Sequence, residues 1–256
     1  MLKPRIIPVL LLHNGGLIKT IRFHDAKYVG DPLNAVRIFN EKEVDELIVI
    51  DISATTLKKD PEYKLIAQLA EECRMPLCYG GGVKNVEQLE RIVSLGVEKV
   101  ATSSAIIETP SLIEEAAKRV GSQSVVVVMD VKKTGMIQKR YEIFTHNGKR
   151  PTGLSPTDLA VKAESAGAGE LLINSIDQDG TMAGYDMALI DQVHSRINMP
   201  LTVLGGAGSL ADLQQLLRKY SLIGAAAGSL FVFKGKYRAV LIQYLNSEEK
   251  QMLTPD

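Results

Sequence analysis

The chain has 256 residues, with 30 basic and 30 acidic side chains, so its formal net charge is zero. This balance predicts no overall attraction to nucleic acid or to an anionic membrane surface. Apolar residues make up 45% of the composition, enough for a large core, and no apolar run approaches the ~18 residues of a membrane-spanning helix.

Eight short apolar runs alternate with helix-like stretches. Continuous apolar runs are typical of parallel strands that are covered on both faces. Between them, apolar residues recur every three or four positions, with Asn85 and Ser209 as helix caps and Gly96 as a stop. This alternation predicts a single (β/α)8 barrel at residues 1–245, followed by a polar, frayed tail at 246–256. The runs cover residues 6–12, 46–52, 76–81, 99–104, 125–131, 170–176, 201–206 and 224–229.

The chain also repeats itself. MPLCYGGGV resembles MPLTVLGGAG, DELIVIDIS resembles GELLINSID, and in each pair the two segments lie 124 residues apart. A third pair aligns RIIPVLLL with SVVVVMDV, and in that alignment Leu11 stands opposite Asp130. The repeat predicts two similar (β/α)4 halves that together make one closed barrel.

Two long irregular stretches, residues 15–32 and 132–153, follow the first strand of each half. In a barrel such loops lie at the carboxyl ends of the strands, on the catalytic face. The second stretch contains Asn147-Gly148, which predicts a small hairpin.

Each half has a glycine-rich strand end and, on the next strand, small residues with hydroxyls. Glycine lets the backbone approach an anion, and the following helix offers free N–H groups. We name these the first anion site (Gly81, Gly82, Ser103, Ser104) and the second anion site (Gly206, Gly228, Ser229). The pair predicts a ligand with a phosphate at each end. The alternative is that both are tight turns packed against helices.

Acidic residues follow several strands, where a carboxylate can act as a general acid or base. Taken singly, each could instead cap a helix or brace a loop. Asp130 is the strongest candidate, because an acid directly after VVVVM has little packing purpose. The set is Asp51, Asp130, Asp177 and Asp179, with Lys19 on the first long loop.

Metal and disulfide chemistry are not indicated. The four histidines lack metal-ligand spacing and are interpreted as loop or surface residues: His13, His24, His146 and His194. Cys73 and Cys78 have no partner cluster nearby, which favours reduced thiols in a cytoplasmic protein. The N-terminal segment continues into a strand pattern, so we expect no signal peptide. No cofactor is predicted.

Charged residues also stand at the opposite, amino ends of the strands. Arg5 shares strand parity with Ile7, Val9 and Leu11, so it could point into the barrel. Two readings remain open from the residues alone: a gate across the barrel floor, or a solvated rim. The residues, named here the floor ring, are Arg5, Glu46, Lys99 and Glu170.

Taken together, these residues resemble HisF, the cyclase subunit of imidazole glycerol phosphate synthase. The marks are RIIP, VGDP, DELIVIDI, YGGG, GSQSVVVV, THNGKRPTG, GAGELL, SIDQDGT and GGAG. The resemblance implies that ammonia from a docked glutaminase, HisH, crosses the barrel to a bisphosphorylated substrate. It implies an active face at Lys19, Asp51, Asp130 and Asp179, phosphate contacts at the two anion sites, a gate at the floor ring, and a partner-facing side at Glu98 and Gln123.

The departures from HisF lie on the active face. Leu11 replaces the first-strand catalytic aspartate, Val9 a cysteine, Ser103 an asparagine and Leu204 a serine. The altered face resembles a branch of HisF-like proteins found with surface-polysaccharide genes. Those proteins work with a HisH-like glutaminase and supply ammonia to a sugar amidotransferase, which converts an acetamido group of a nucleotide sugar to an acetamidino group. The alternatives are a genuine cyclase of histidine and purine biosynthesis and a stand-alone phosphosugar isomerase.

Overall fold

The computed structural model describes residues 4–135, 138–220 and 222–253. No helix in this described part is both long and apolar enough to cross a membrane. The strands in chain order are β1 (Arg5–His13), β2 (Gly16–Ile21), β3 (His24–Gly30), β4 (Leu47–Asp51), β5 (Leu77–Gly80), β6 (Lys99–Thr102), β7 (Val125–Thr134), β8 (Arg140–Thr145), β9 (Arg150–Pro151), β10 (Glu170–Ser175), β11 (Leu201–Leu204), β12 (Ile223–Ala227), β13 (Phe233–Lys234) and β14 (Ala239–Val240).

Helices connect and cover the strands. They are α1 (Pro32–Glu41), α2 (Tyr63–Glu72), α3 (Val86–Ser94), α4 (Ser104–Glu108), α5 (Ser111–Val120), α6 (Pro156–Ser165), α7 (Met187–His194), α8 (Leu210–Lys219), α9 (Ser229–Val232) and α10 (Ser247–Leu253), with a 3-10 turn at Ser122–Ser124. The predicted caps are confirmed. Asn85 accepts a hydrogen bond from the Gln88 amide at the start of α3, and Ser209 begins α8 in a capping box with Asp212.

Eight parallel strands close into a barrel in the order β1, β4, β5, β6, β7, β10, β11, β12 and back to β1. The predicted (β/α)8 barrel is therefore confirmed. The repeat is visible in the strand starts, because Leu77 and Leu201 open β5 and β11, 124 residues apart.

The core has two parts, one on each side of the barrel wall. The larger part fills the space between strands and helices. The smaller part lies inside the barrel, where alternate strand residues point inward. This interior cluster is apolar apart from one free thiol, and it consists of Ile7, Val9, Ile48, Cys78, Ala101, Val126, Leu172 and Ala226.

Both long stretches after the first strands form antiparallel hairpins. The Asn147-Gly148 hairpin is confirmed, with β8 and β9 paired on either side of it. The first stretch, predicted as irregular, is also a hairpin, since β2 and β3 pair and β2 continues from β1. Alternation of apolar and polar residues is weak in HDAKYVG, because most of β3 faces solvent.

Each hairpin is tied to the other half of the barrel. From the first hairpin, Arg22 donates its backbone N–H to the Asp179 carbonyl at 2.8 Å and its Nε to the Asp177 carbonyl at 2.9 Å. From the second, Asn147 Nδ2 donates to the Ile52 carbonyl at 2.8 Å. The hairpins therefore cross the active face in opposite directions.

The expectation of a frayed tail after residue 245 is wrong for the described residues. Helix α10 forms there, and Leu253 is buried against the core. Lys250 Nζ holds the helix by donating to the Glu43 carbonyl at 2.8 Å and pairing with Asp45 at 3.2 Å. The sequence did not predict α10, because a single apolar anchor, Leu253, in SEEKQML is too weak a signal.

Candidate functional site

A cavity of about 460 Å³ opens at the carboxyl ends of the barrel strands, and every one of the eight strands or the residue after it contributes to its lining. This volume lies within the usual range for small-molecule sites. The cavity sits above the apolar interior of the barrel and below the two hairpins.

Asp130 lies in this cavity on β7 and accepts a hydrogen bond from Asn174 Nδ2 at 3.0 Å. The pKa of Asp130 is raised to about 7, chiefly by burial and also by the charge of Asp179, against the lowering effect of the Asn174 hydrogen bond. A carboxyl group with such a pKa can both give and take a proton near neutral pH. Asn174 was missed by the sequence analysis, because it stands inside an apolar run and meets its partner only through the β7–β10 pairing.

Leu11 also lines the cavity, on β1 beside Ile50 of β4. With Val128 and Leu204 these residues are the partly buried apolar side chains packed on the interior cluster. We name these four residues the apolar collar. The collar surrounds the cavity floor where Asp130 stands, so the first half offers no carboxylate at the position matching Asp130.

Asp51 braces the loop after β4, which is one of the roles that the sequence left open. Its Oδ1 accepts from Ser53 N at 2.8 Å, Ser53 Oγ at 2.7 Å and Ala54 N at 3.1 Å. The residue still borders the cavity. Asp177 is likewise a brace, since it accepts the Lys133 amide at 2.8 Å.

Lys19 and Asp179 form a buried ion pair. Lys19 Nζ lies 2.7 Å from Asp179 Oδ1, and each side chain is 5% exposed. Thr20 Oγ1 donates to the other carboxylate oxygen at 3.2 Å. The predicted active-face residues therefore come together around one cavity, with Lys19 delivered by β2 of the unexpected hairpin.

The first anion site borders the cavity with its backbone pressed against the Asp51 loop. Gly81 has φ +113°, and a Cβ there would lie 2.3 Å from the Asp51 carbonyl oxygen, so a side chain does not fit. Thr102 Oγ1 and Ser103 Oγ are buried without a hydrogen-bond partner among the described residues. Three cationic residues also line the cavity, namely Lys58, Lys84 and Arg150. Lys84 is paired with Asp60 at 2.9 Å.

The second anion site is buried. A small pocket of about 10 Å³ lies between its residues and Lys19, Asp179 and Leu204. Gly228 also lines the larger cavity, together with the same three side chains. Ser229 Oγ accepts a hydrogen bond from Arg238 at 3.2 Å.

The floor ring residues converge at the amino end of the barrel. Arg5 bonds to Glu46 and lies 2.9 Å from Glu170, while Lys99 Nζ lies 2.9 Å from both carboxylates. Thr202, fully buried, also donates to Glu170. The ring is thus a closed network of two cations and two anions, and the reading as separate solvated residues is wrong.

Charge pairing within the ring overcomes the cost of burial. Burial acts to raise the pKa of Glu170, but Arg5 and Lys99 outweigh it and hold that pKa below its ordinary value. Burial likewise acts to lower the pKa of Lys99, and the two glutamates hold it above its ordinary value. Glu170 and Lys99 are therefore both charged near neutral pH.

Other predicted residues lie outside the cavity or at its edge. Glu98 and Gln123 are exposed, next to the amino ends of β6 and β7. His146 lies in the turn between β8 and β9, in line with the expectation of a loop or surface residue; it also borders the cavity and contacts Arg150 at 3.2 Å. Within the described residues, no cluster of three or more His, Cys, Asp or Glu side chains could hold a metal ion.

Comparison with known proteins agrees with this architecture. The family model described as "Histidine biosynthesis protein" matches residues 5–238. "Putative imidazole glycerol phosphate synthase subunit HisF" of Leptospira interrogans is 58% identical over 253 residues, covering 99% of both chains. The "hisF3" protein of Vibrio vulnificus is 52% identical, covering 98% of this chain and 96% of its own, and the "hisF2" protein of Pseudomonas aeruginosa is 51% identical, covering 95% and 96%. The chain therefore belongs to the histidine biosynthesis protein family, among its HisF-type barrels.

Proposed function

We propose that this barrel is the ammonia-conducting subunit of a glutamine amidotransferase system. Ammonia released by a HisH-like glutaminase at the floor enters through the floor ring and leaves through the cavity above. The final acceptor is a nucleotide sugar, amidated from acetamido to acetamidino by a separate sugar amidotransferase. The observation that carries the proposal is that Leu11 stands at the position the repeat matches with Asp130, above an apolar barrel interior whose floor ring is complete.

The interior supports passage of a small neutral molecule. Between the floor ring and the cavity the barrel is lined by the interior cluster and then by the apolar collar. An apolar lining gives ammonium ion no compensating partner, because an unpaired buried charge costs far more than a neutral group. Such a lining therefore favours ammonia over ammonium.

The cavity argues against ordinary cyclase chemistry. Ring closure to an imidazole needs protons moved on both sides of the substrate, and one positioned general acid or base contributes ~100- to 10,000-fold. Asp130 retains that ability, with its pKa of about 7. Leu11 offers no exchangeable proton at the matching position.

Genuine cyclase activity in histidine biosynthesis is the second candidate. It is favoured by the names of the relatives and by the suitability of Asp130 as an acid–base group. A stand-alone isomerase would need neither a glutaminase nor the floor ring.

Turnover of the HisF substrate with free ammonium separates the first two candidates, because ammonium bypasses any glutaminase. We expect a rate at least ~100-fold below that of an ordinary HisF, the low end of one acid–base contribution. Near-normal turnover would place the cyclase reading first.

Docking is tested by mixing the barrel with the HisH-type glutaminase encoded nearest its gene. We expect co-purification and faster glutamine hydrolysis in the mixture than by the glutaminase alone. Glu98→Lys should weaken both effects, and the matched control Lys149→Glu, an exposed charge reversal at the opposite end of the barrel, should not. Absence of both co-purification and activation on mixing would contradict a glutaminase partner.

A further inference from the structure

A short hairpin near the C-terminus borders the carboxyl face of the barrel. It consists of β13, β14 and the turn between them, and it follows closely after Gly228, which lines the cavity. Lys27 of β3 lies beside it, because Lys27 Nζ donates to the Arg238 carbonyl at 2.7 Å. Lys27 stands opposite Lys19 in the β2–β3 ladder, and Lys19 also lines the cavity. The hairpin is therefore joined to the cavity wall through both of its neighbours.

The turn of this hairpin is braced from within. The Arg238 N–H donates to the Gly235 carbonyl at 3.0 Å and closes the turn. The buried Phe233 ring at its base is contacted by two cations, with the Lys27 ammonium 5.3 Å and the Arg238 guanidinium 4.8 Å from the ring centroid. The side chains at the tip are thus presented on a backbone that is already ordered, which reduces the entropy lost when a partner binds.

Large apolar side chains on and after the hairpin are open to solvent. Tyr237, at the tip, is 88% exposed, and Val240 and Leu241 are 41% and 46% exposed. These three are among only eight large apolar residues that are exposed in the described part of the chain, and they lie close together in sequence. Single exposed apolar residues are normal, but a cluster rimmed by charge marks an interaction surface. Tyrosine is also enriched among the residues that dominate binding energy at protein interfaces.

The charge on the hairpin has one sign. Lys234 and Lys236 are exposed on it and Lys27 beside it, and none of the three forms an ion pair with a carboxylate among the described residues. No acidic residue stands between Asp212 and Glu248 in the chain. Such a surface attracts an acidic partner and steers its approach. It disfavours a second copy of this chain, because a two-fold axis through the hairpin would bring the same lysines together.

The position of the hairpin indicates which acidic partner binds there. Ammonia that leaves the cavity into water is protonated near neutral pH and loses the lone pair with which it attacks an acceptor. An enzyme that consumes this ammonia must therefore cover the carboxyl face. The glutaminase of the proposed function docks at the opposite end of the barrel and leaves this face free. An anionic membrane is also attracted to lysines, but it takes up no ammonia.

We propose that the ammonia-consuming enzyme docks on this hairpin through an acidic surface with a recess for the Tyr237 ring. The inference rests on the proposed function and assigns the surface that binds its acceptor enzyme. Lysines steer the partner and set its orientation, and the tyrosine supplies the buried anchor. We name this surface the hairpin patch, and it consists of Lys27, Lys234, Lys236, Tyr237, Val240 and Leu241.

The first test measures binding of the full barrel to the sugar amidotransferase encoded nearest its gene, by calorimetry at low and at high salt. We expect Lys236→Glu and Tyr237→Ala each to weaken binding at least ~10-fold, as loss of an interface anchor does. The affinity of the parent should fall as salt rises, because salt screens exposed charges. The matched control is Lys149→Glu, an exposed lysine in the turn between β8 and β9 on the same face, and it should bind like the parent.

The second test measures coupling, as amidated sugar formed per glutamate released when glutaminase, barrel and amidotransferase are mixed. Both variants should lower this ratio with glutamine as the nitrogen source. They should leave unchanged the activation of the glutaminase by the barrel and the amidation driven by free ammonium. Failure of the parent barrel to activate the glutaminase contradicts the proposed function itself, whereas normal activation with normal coupling in both variants contradicts only the hairpin patch.

Unchanged affinity in both variants, or an equal loss in Lys149→Glu, would overturn the inference. Absence of any binding between the parent barrel and the amidotransferase would overturn it as well. Binding of the parent to vesicles of phosphatidylglycerol and phosphatidylcholine that is lost in Lys236→Glu would assign the patch to a membrane surface instead. A barrel dimer that Tyr237→Ala dissociates would assign it to a second copy. Urea midpoints equal to that of the parent show that each variant is folded.

Discussion

Replacement of Asp130 by asparagine should stabilise the protein above neutral pH. The pKa of this carboxyl is raised from 3.8 to about 7 by burial. An acid whose pKa is higher in the folded than in the unfolded state binds more protons when folded, so stability falls as pH rises between the two values. Above pH 7 the full penalty applies, and it vanishes only well below pH 3.8, where the carboxyl is protonated in both states.

The size of the effect follows from the shift. About three pKa units at 1.36 kcal/mol each set an upper limit of about 4 kcal/mol for the cost of ionising Asp130 in the folded protein. The group borders a solvent-accessible cavity, which screens part of that cost and brings the expectation to about 2 kcal/mol. Asparagine has no charge to bury, and its carbonyl can still accept from Asn174.

Urea unfolding at pH 4.5 and pH 8 measures this difference through the transition midpoint. We expect Asp130→Asn to exceed the parent protein in stability by about 2 kcal/mol at pH 8 and by no more than about 1 kcal/mol at pH 4.5, where the carboxyl of the folded parent is largely protonated. Asp25→Asn, at an exposed position of β3, controls for the loss of a carboxylate as such. A stabilisation that is equal at both pH values, or greater at pH 4.5, would refute a raised pKa at Asp130.

Three further substitutions test the floor, the first anion site and the collar. Arg5→Ala leaves two buried glutamates with one cation and should lower the free energy of unfolding, measured with urea, by ~3–5 kcal/mol. The control Lys118→Ala removes one partner of an exposed ion pair and should leave the urea midpoint unchanged. Gly81→Ala should both destabilise the fold and abolish phosphate binding, because its Cβ would meet backbone at 2.3 Å; Gly153→Ala, also at positive φ but with open space around it, is the steric control. Leu11→Asp should restore part of the turnover of a bisphosphorylated substrate with ammonium, because it returns a carboxylate to the position that the repeat matches with Asp130; unchanged steady-state turnover would contradict that reasoning.

The barrel was predictable because its signals are local and repeated. Apolar runs, caps such as Asn85 and Ser209, and the offset between the halves each point to the same strand–helix order. The Leu11–Asp130 mismatch was visible for the same reason, since an internal repeat supplies its own reference. Lys19 was assigned to the active face from the sequence, but the strand that carries it was not, because β3 is too polar to show a clear alternation.

What the sequence could not predict depends on partners far apart in the chain. Asn174 contacts Asp130 across 44 residues and looks like an interruption of an apolar strand. Thr202 joins the floor ring across 32 residues from Glu170. The Lys19 stem reaches Gly228 from a hairpin in the other half. The spacing of a motif describes residues that are close in the chain, and it carries no information on contacts between distant segments.

The crossed hairpins make entry to the cavity a joint property of both halves. Lifting the first hairpin would break the Arg22 bonds to residues 177 and 179, which belong to the loop that also supplies Asp179 to the Lys19 pair. Lifting the second would release the Asn147 bond to the loop after β4, beside Asp51. Each half thus anchors the hairpin of the other half. A ligand that displaces one hairpin therefore also breaks hydrogen bonds to a loop of the opposite half. We expect the kinetics of ligand entry to report a cooperative opening of the whole face rather than the motion of an independent lid.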